Sequence, residues 1–173
     1  MSGIVGDNTA RASGVIKAAG GGKILQVVQT VKTDTSQIGS SFADVASLSV
    51  AITPSSTSSK IYIACSVNAT GLAVRLKLLR DIGGAGYADS AYIGDAAGSR
   101  QRALLFMNCT DRQEQNLTFN YLDSPSTTSE VTYKAVAWCH DAYQIGINRS
   151  YDDSNNDSYG RSASAITVME IGA

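Results

Sequence analysis

The sequence predicts an all-β chain: an antiparallel two-sheet sandwich, jelly-roll-like, with an extended N-terminal arm. Three observations predict it. From Lys23 onward apolar residues recur at every second position in run after run, the period of strands with one face on a core. No window of comparable length carries a 3.6-residue period, although Asp44 to Leu48 has the composition of a single helical turn. Ser, Thr, Gly and Pro clusters interrupt the runs roughly every dozen residues, which suits about eight to ten short strands closing on themselves.

Taken in order, residues 1–22 stand apart. They are small and polar, with short apolar patches at Ile4-Val5 and Val15-Ile16, and they end in Gly20-Gly21-Gly22. A segment this poor in apolar residues builds no core of its own, so it reads as an assembly arm on a flexible glycine hinge, with Ile4, Val5, Val15 and Ile16 as its contacts. Residues 23–173 form the head. Leu48, Val50 and Ile52 alternate with Ser47, Ser49 and Ala51, and Ile61, Ile63, Cys65 and Val67 with Tyr62, Ala64, Ser66 and Asn68. Pro54 in the intervening Thr-Pro-Ser-Ser presets a turn without interrupting a ladder. Val74, Leu76 and Leu78 then oppose Arg75 and Lys77, and Leu117, Phe119 and Tyr121 oppose Thr118 and Asn120. Val131, Tyr133, Ala135 and Ala137 oppose Thr132 and Lys134, and Ile166 and Val168 oppose Thr167 and Met169. The stretches 82–86 and 152–160 read as loops.

Composition narrows the function. A chain of 173 residues is one domain and buries roughly 70% of its unfolded surface without disulfides or metals. The net charge of −1, with Lys and Arg scattered singly, argues against nucleic acid as a partner. No apolar run approaches the ~18 residues of a membrane helix, so no membrane insertion is expected. The start lacks a basic region followed by an apolar one, which implies a product kept, or packaged, in the cytoplasm where it is made. Of three cysteines, Cys65 and Cys139 lie within apolar strands and read as free core residues.

The chemistry-bearing residues are few. His140 is the single histidine; Cys139 and Asp141 beside it project to alternate faces of a strand and cannot form a triad with it. Glu114, Glu130 and Glu170 sit in no recognisable glycosidase motif, so no catalytic residue is assigned. Asp153, Asn155 and Asp157 fall at positions one, three and five of a calcium-loop pattern, but Ser158 and Ser164 stand where Gly and Glu belong. The segment reads as a solvated Asn/Asp turn, with calcium as the alternative and no other cofactor. Tyr143, Tyr151 and Tyr159, beside Asn155 and Asp157, offer rings and hydrogen-bonding groups to a glycan or to a subunit interface. Trp138 is assigned to core or interface.

Particular words in the chain carry a resemblance. Gly22-Lys-Ile-Leu-Gln-Val-Val, Ser41-Phe-Ala-Asp-Val, Ile52-Thr-Pro-Ser-Ser-Thr-Ser-Ser-Lys-Ile and the closing Ile147-Asn-Arg-Ser and Ser164-Ala-Ile-Thr-Val-Met-Glu-Ile are similar to small virion structural proteins of tailed bacteriophages, of the tail-fibre, surface-appendage and decoration type, from aquatic phages. Both ends of the chain carry it, and 81–115 does not. The resemblance implies a non-enzymatic protein located in the virion. It implies docking on other virion proteins through the arm, assembly as a homotrimer and contact with a host-surface glycan. A capsid decoration or cement protein is the alternative within that class, and a carbohydrate-binding module or glycan-active enzyme the alternative outside it.

Overall fold

The computed structural model describes residues 22–108, 114–140 and 144–172. Among them are eleven strands and no helix: β1 (Ile24–Lys32), β2 (Ser36–Ile38), β3 (Ala43–Ile52), β4 (Lys60–Thr70), β5 (Val74–Ile82), β6 (Ala88–Asp89), β7 (Leu105–Met107), β8 (Gln115–Asp123), β9 (Val131–Trp138), β10 (Ile145–Ile147) and β11 (Ser164–Ile171). No described helix is therefore long and apolar enough to cross a membrane. The arm contacts Ile4, Val5, Val15 and Ile16 lie outside the described residues, as do Cys109, Asp141 and Tyr143.

Several of the eleven strands are pieces of longer lines. One edge of β4 pairs with β8 from Ile61 to Ala69. The other edge takes β11 along Lys60 to Ser66 and then β10 at Ala69 and Thr70, so β10 and β11 form one line broken by an excursion over 148–163. In the same way β1 and β2 pair successively with β11 and β10. In the second sheet, β5 gives one edge to β9 and the other to β7 and then β6, a line broken over 90–104.

Eight lines result. Numbered along the chain, they lie in the orders 1-8-3-6 (β1/β2, β10/β11, β4, β8) and 2-7-4-5 (β3, β9, β5, β6/β7), with every pairing antiparallel. Two interlocked Greek keys of this order are the jelly roll. The predicted sandwich is therefore the observed fold, and the strand count exceeds expectation only because two- and three-residue segments continue longer lines.

The alternation places the core as the sequence implied. Ile61, Ile63 and Val67 of β4, Val74 and Leu76 of β5, Val131, Tyr133 and Ala135 of β9, and Ile166 and Val168 of β11 are completely buried between the sheets. Each such aliphatic side chain contributes about 1.5–3 kcal/mol by leaving water. Cys65 is free and buried as expected, Cys139 is buried too, and burial pushes the Cys65 thiol up to about 12, which leaves it unreactive.

The expected helical turn at Asp44–Leu48 is corrected: the segment is part of β3. Asp44 pairs with Val136 and Ser49 with Lys134, so β3 carries extra residues over that interval and bulges. Ser47 takes the left-handed conformation there, with φ of 62°. The bulge turns both Val45 and Leu48 into the core, a three-residue spacing that mimics helix periodicity.

Two polar knots hold the frame. Asp123, at the end of β8 in the first sheet, reaches across to the second. It accepts from Arg80 Nη1 of β5 at 2.8 and 2.9 Å and from the Tyr133 hydroxyl of β9 at 2.7 Å. Burial, and then the hydrogen bond to Asp123, raise the Tyr133 pKa. Glu170 occupies an inward position of β11, where an apolar residue would be expected, and is 1% exposed. It accepts from the Ser55 amide (2.8 Å), the Ser55 and Ser59 hydroxyls (2.7 and 2.6 Å) and the Gln26 amide (2.6 Å), fixing the turn at Pro54.

Candidate functional site: two unlike sheet faces

A sandwich has two outer faces, and here they differ in chemistry. On the first sheet the outward residues line up by register as Val27–Met169–Tyr62–Leu122, Gln29–Thr167–Ala64–Asn120 and Val31–Ala165–Ser66–Thr118. None of these carries a charge. The apolar side chains lie open: Val27 is 55% exposed, Val31 53% and Leu122 53%. Ile24 and Leu25 extend the patch towards Gly22, where the described chain begins. Gly22 itself lies against the Gly172 carbonyl, so closely that no Cβ fits there.

The outer face of the second sheet is aromatic and ionic. In one row Arg75 lies over the Trp138 ring at 4.2 Å and the Phe106 ring at 5.0 Å. The Trp138 indole is stacked on Phe42 with centroids 6.0 Å apart, and its N–H donates to the Ser40 carbonyl at 2.7 Å. In the next rows Lys77 pairs with Asp89 at 3.1 Å and rests on the Phe42 ring at 4.5 Å. Lys134 pairs with Asp44 at 2.9 Å and rests on the Tyr87 ring at 3.8 Å. Phe42, Asp44, Lys77, Leu79, Tyr87, Asp89 and Val136 line an open groove of about 380 Å³ between these pairs. Val136 points outward yet is 3% exposed, because the ring and ion-pair side chains roof it.

The site residues expected from sequence sit elsewhere. Asp153 anchors the neck of the 148–163 excursion: Arg149 and Arg161 each place a guanidinium nitrogen 2.6 Å from its carboxylate, and the two arginines also bridge through their backbones. A cation at Asp153 would have to displace two cations already there. Asn155 and Asp157 are exposed, in a turn closed by the Tyr159 amide donating to the Asn156 carbonyl. Tyr151 is half-buried and Tyr159 is 39% exposed. No group of three or more His, Cys, Asp or Glu placed to hold a metal ion occurs among the described residues.

Replacing Asp153 with Ala is expected to cost about 1 kcal/mol, a few degrees of melting temperature, equally in calcium and in chelator. A loss confined to calcium-containing buffer would restore the cation reading.

The groove was not legible in the sequence. Phe42, Tyr87 and Trp138 are far apart along the chain, and only strand register assembles them. His140 stands edge-on to Trp138 at 5.9 Å, as part of this aromatic packing. Trp138, expected in core or interface, is half-buried on the outer face.

No protein-family model and no curated protein matches the chain. Two solved structures share its outline at very low identity. One is the D431N mutant VP2 protein of infectious bursal disease virus in T=1 particles, at 9% identity and TM-score 0.42, covering 86% of this chain. The other is infectious bursal disease virus, Gx strain, at 10% identity and TM-score 0.35, also covering 86%. The chain spans 36% and 43% of the lengths of those proteins.

Proposed function

We propose that this chain is a non-enzymatic structural protein of a bacteriophage virion, a tail-associated fibre or surface appendage anchored by residues 1–22. The observation that carries the reading is the division of labour between the two sheet faces. The first sheet presents three uncharged rows with Val27, Val31 and Leu122 open along them and Tyr62 half-buried, Lys60 standing at their edge. Interface cores are depleted of charge, and a patch free of charge meets a copy of itself without like-charge repulsion. That face packs against a second copy of this chain within a homotrimer. The second face, with its rings and ion pairs, is turned outward to the host surface. The sequence resemblance to tailed-phage virion proteins supports the location, since sandwiches serve many functions and fold alone does not choose among them.

Two variants test the parts. A chain lacking 1–22 is expected to keep its thermal melt and its mass in solution but to be absent from purified particles. Leu122→Lys with Val27→Lys is expected to leave a folded monomer by light scattering. Incorporation without the arm, or an unchanged mass in the double variant, would each remove its part of the reading.

A further inference from the structure

We propose that the free edge of β8 pairs with β8 of a second copy of this chain, antiparallel about a two-fold axis at Phe119. This adds an edge contact to the face contact of the proposed function and does not depend on it.

Sheet edges that must stay single are commonly bulged, interrupted or charged. The other edges of the sandwich carry such devices. β1 is bulged between Ile24 and Gln26, and the Gln26 side-chain amide ties it to the Thr53 carbonyl at 2.7 Å. β3 is bulged between Asp44 and Ser49. The β6/β7 edge is broken over 90–104. β8 has none of these. Its nine residues, Gln115–Asp123, keep an unbroken register with β4 and contain no proline or basic residue. Their one charge, Asp123, is 3% exposed and already bound to Arg80. Among the described residues, no backbone hydrogen bond reaches β8 except from β4.

Register shows which groups this edge offers. The Asn68 amide donates to Ser164 Oγ and the Asn68 carbonyl accepts from the Asn148 amide, both at 3.0 Å. Asn68 thus directs its backbone away from β8. Its antiparallel partner Asn116 stands in a non-hydrogen-bonded pair and turns its own N–H and C=O to the free edge. By the alternation of a strand, Thr118, Asn120 and Leu122 do the same. The Asn116 side chain does not cap the row, because it donates back to Ser66 Oγ and Asn68 Oδ1 of β4 at 2.6 and 2.8 Å. A second extended strand satisfies the whole row at once.

Symmetry and charge choose a second copy. Two copies that share the same edge about a two-fold axis run antiparallel. With the axis at Phe119, Thr118 faces Asn120 of the second copy and Asn116 faces Leu122, each pair exchanging both of its bonds. The faces match as well. Leu117, Phe119 and Tyr121 point inward in both copies, so core meets core and the uncharged rows continue across the join. Beyond the strand ends, the same register sets Glu114 opposite Ser124 of the second copy, whose hydroxyl holds the Lys60 ammonium at 2.7 Å. Glu114 and Lys60 are oppositely charged, and the two-fold axis repeats that contact at the other end. One strand pairing buries well under the ~1,200 Å² of a stable interface, so free chains pair only towards millimolar concentration. That is above the dilute range in which light scattering reads the face contact.

Amide hydrogen exchange of the full chain, followed by NMR from about 20 μM to about 1 mM, reads the edge residue by residue. In dilute solution Leu117, Phe119 and Tyr121, bonded to β4, are expected to be protected, and Asn116, Thr118, Asn120 and Leu122 to exchange freely. At the highest concentration the second set should gain roughly tenfold protection or more. Asn120→Pro removes one edge N–H without touching the β4 ladder, and should abolish that gain while leaving the dilute melt nearly unchanged. Should Asn120→Pro fail to fold, Lys60→Glu retains the test. It should weaken pairing about tenfold, and Glu114→Lys added to it should restore pairing. Exchange that is fast at every concentration would overturn the proposal. Exchange that is slow at every concentration would also overturn it, by giving the edge to a segment of the same chain. So would a gain that survives intact in folded Asn120→Pro or in Lys60→Glu. The two contacts fail separately: the dilute mass reads the face, and concentration-dependent protection reads the edge.

Discussion

Asp123→Ala is expected to lower stability by about 3 kcal/mol, or roughly 10 °C in melting temperature for a domain of this size. Its carboxylate is the one acceptor shared by Arg80 and the completely buried Tyr133. Removing it leaves a buried phenol without its acceptor and a part-buried guanidinium without its counter-charge. Those two unpaired groups, rather than the loss of attraction as such, set the size of the effect. Tyr133→Phe removes only the phenol and should cost about 1 kcal/mol. A double-mutant cycle makes the claim specific: combined with Tyr133→Phe, Asp123→Ala should cost less than the two single effects added. Strict additivity, or a loss below about 1 kcal/mol for Asp123→Ala, would show that Asp123 does not couple the sheets.

Glu170→Gln should cost about 2 kcal/mol at neutral pH, through weaker bonds from Ser55, Ser59 and Gln26 to a neutral acceptor. Its pH dependence is the sharper test. Burial by itself would raise the carboxyl; the hydrogen bonds from Ser55, Ser59 and Gln26 outweigh it and hold the folded value at about 2 against an ordinary 4.5. A folded value below the unfolded one means that the contribution is full above 4.5 and fades as pH falls towards 2. The gap between wild type and Glu170→Gln should therefore be widest at neutral pH and close across that acid window, in denaturant titrations at a series of pH values. A gap that stays constant into acid would mean that the glutamate acts by shape alone.

How much of this was readable beforehand depends on what each feature rests on. Ile61-Ile63-Cys65-Val67 and Val131-Tyr133-Ala135-Ala137 declared their strands because alternation is a local property of the chain. The short β6 and β10 declared nothing: two or three residues hold no period, and their place is set by the neighbours β5 and β4. The β3 bulge misled because Ser47, in a left-handed turn of backbone, respaces the core residues Val45 and Leu48. Glu170 was visible only as a charged residue near the end of an apolar run. Its role needed the turn at Pro54 to fold back over β11. The groove lay furthest from sight. Lys134 meets Asp44 and Tyr87 only after β3, β5, β6 and β9 have taken their register, and nothing in the residues around each announces the others.

The pairing of β1 with β11 also bears on how the molecule would carry force. Were residues 1–22 to anchor the chain as proposed, a pull directed along β1 would fall on the ladder that binds β1 to β11 from Ile24–Ile171 to Lys32–Ser164. Ladder bonds lie across the strands, so axial tension shears them together instead of opening them one after another. The Gly172 amide, donating to the Lys23 carbonyl at 2.8 Å, closes the same end. A particle held by such tethers in moving water would find the strong direction of the sandwich aligned with the pull.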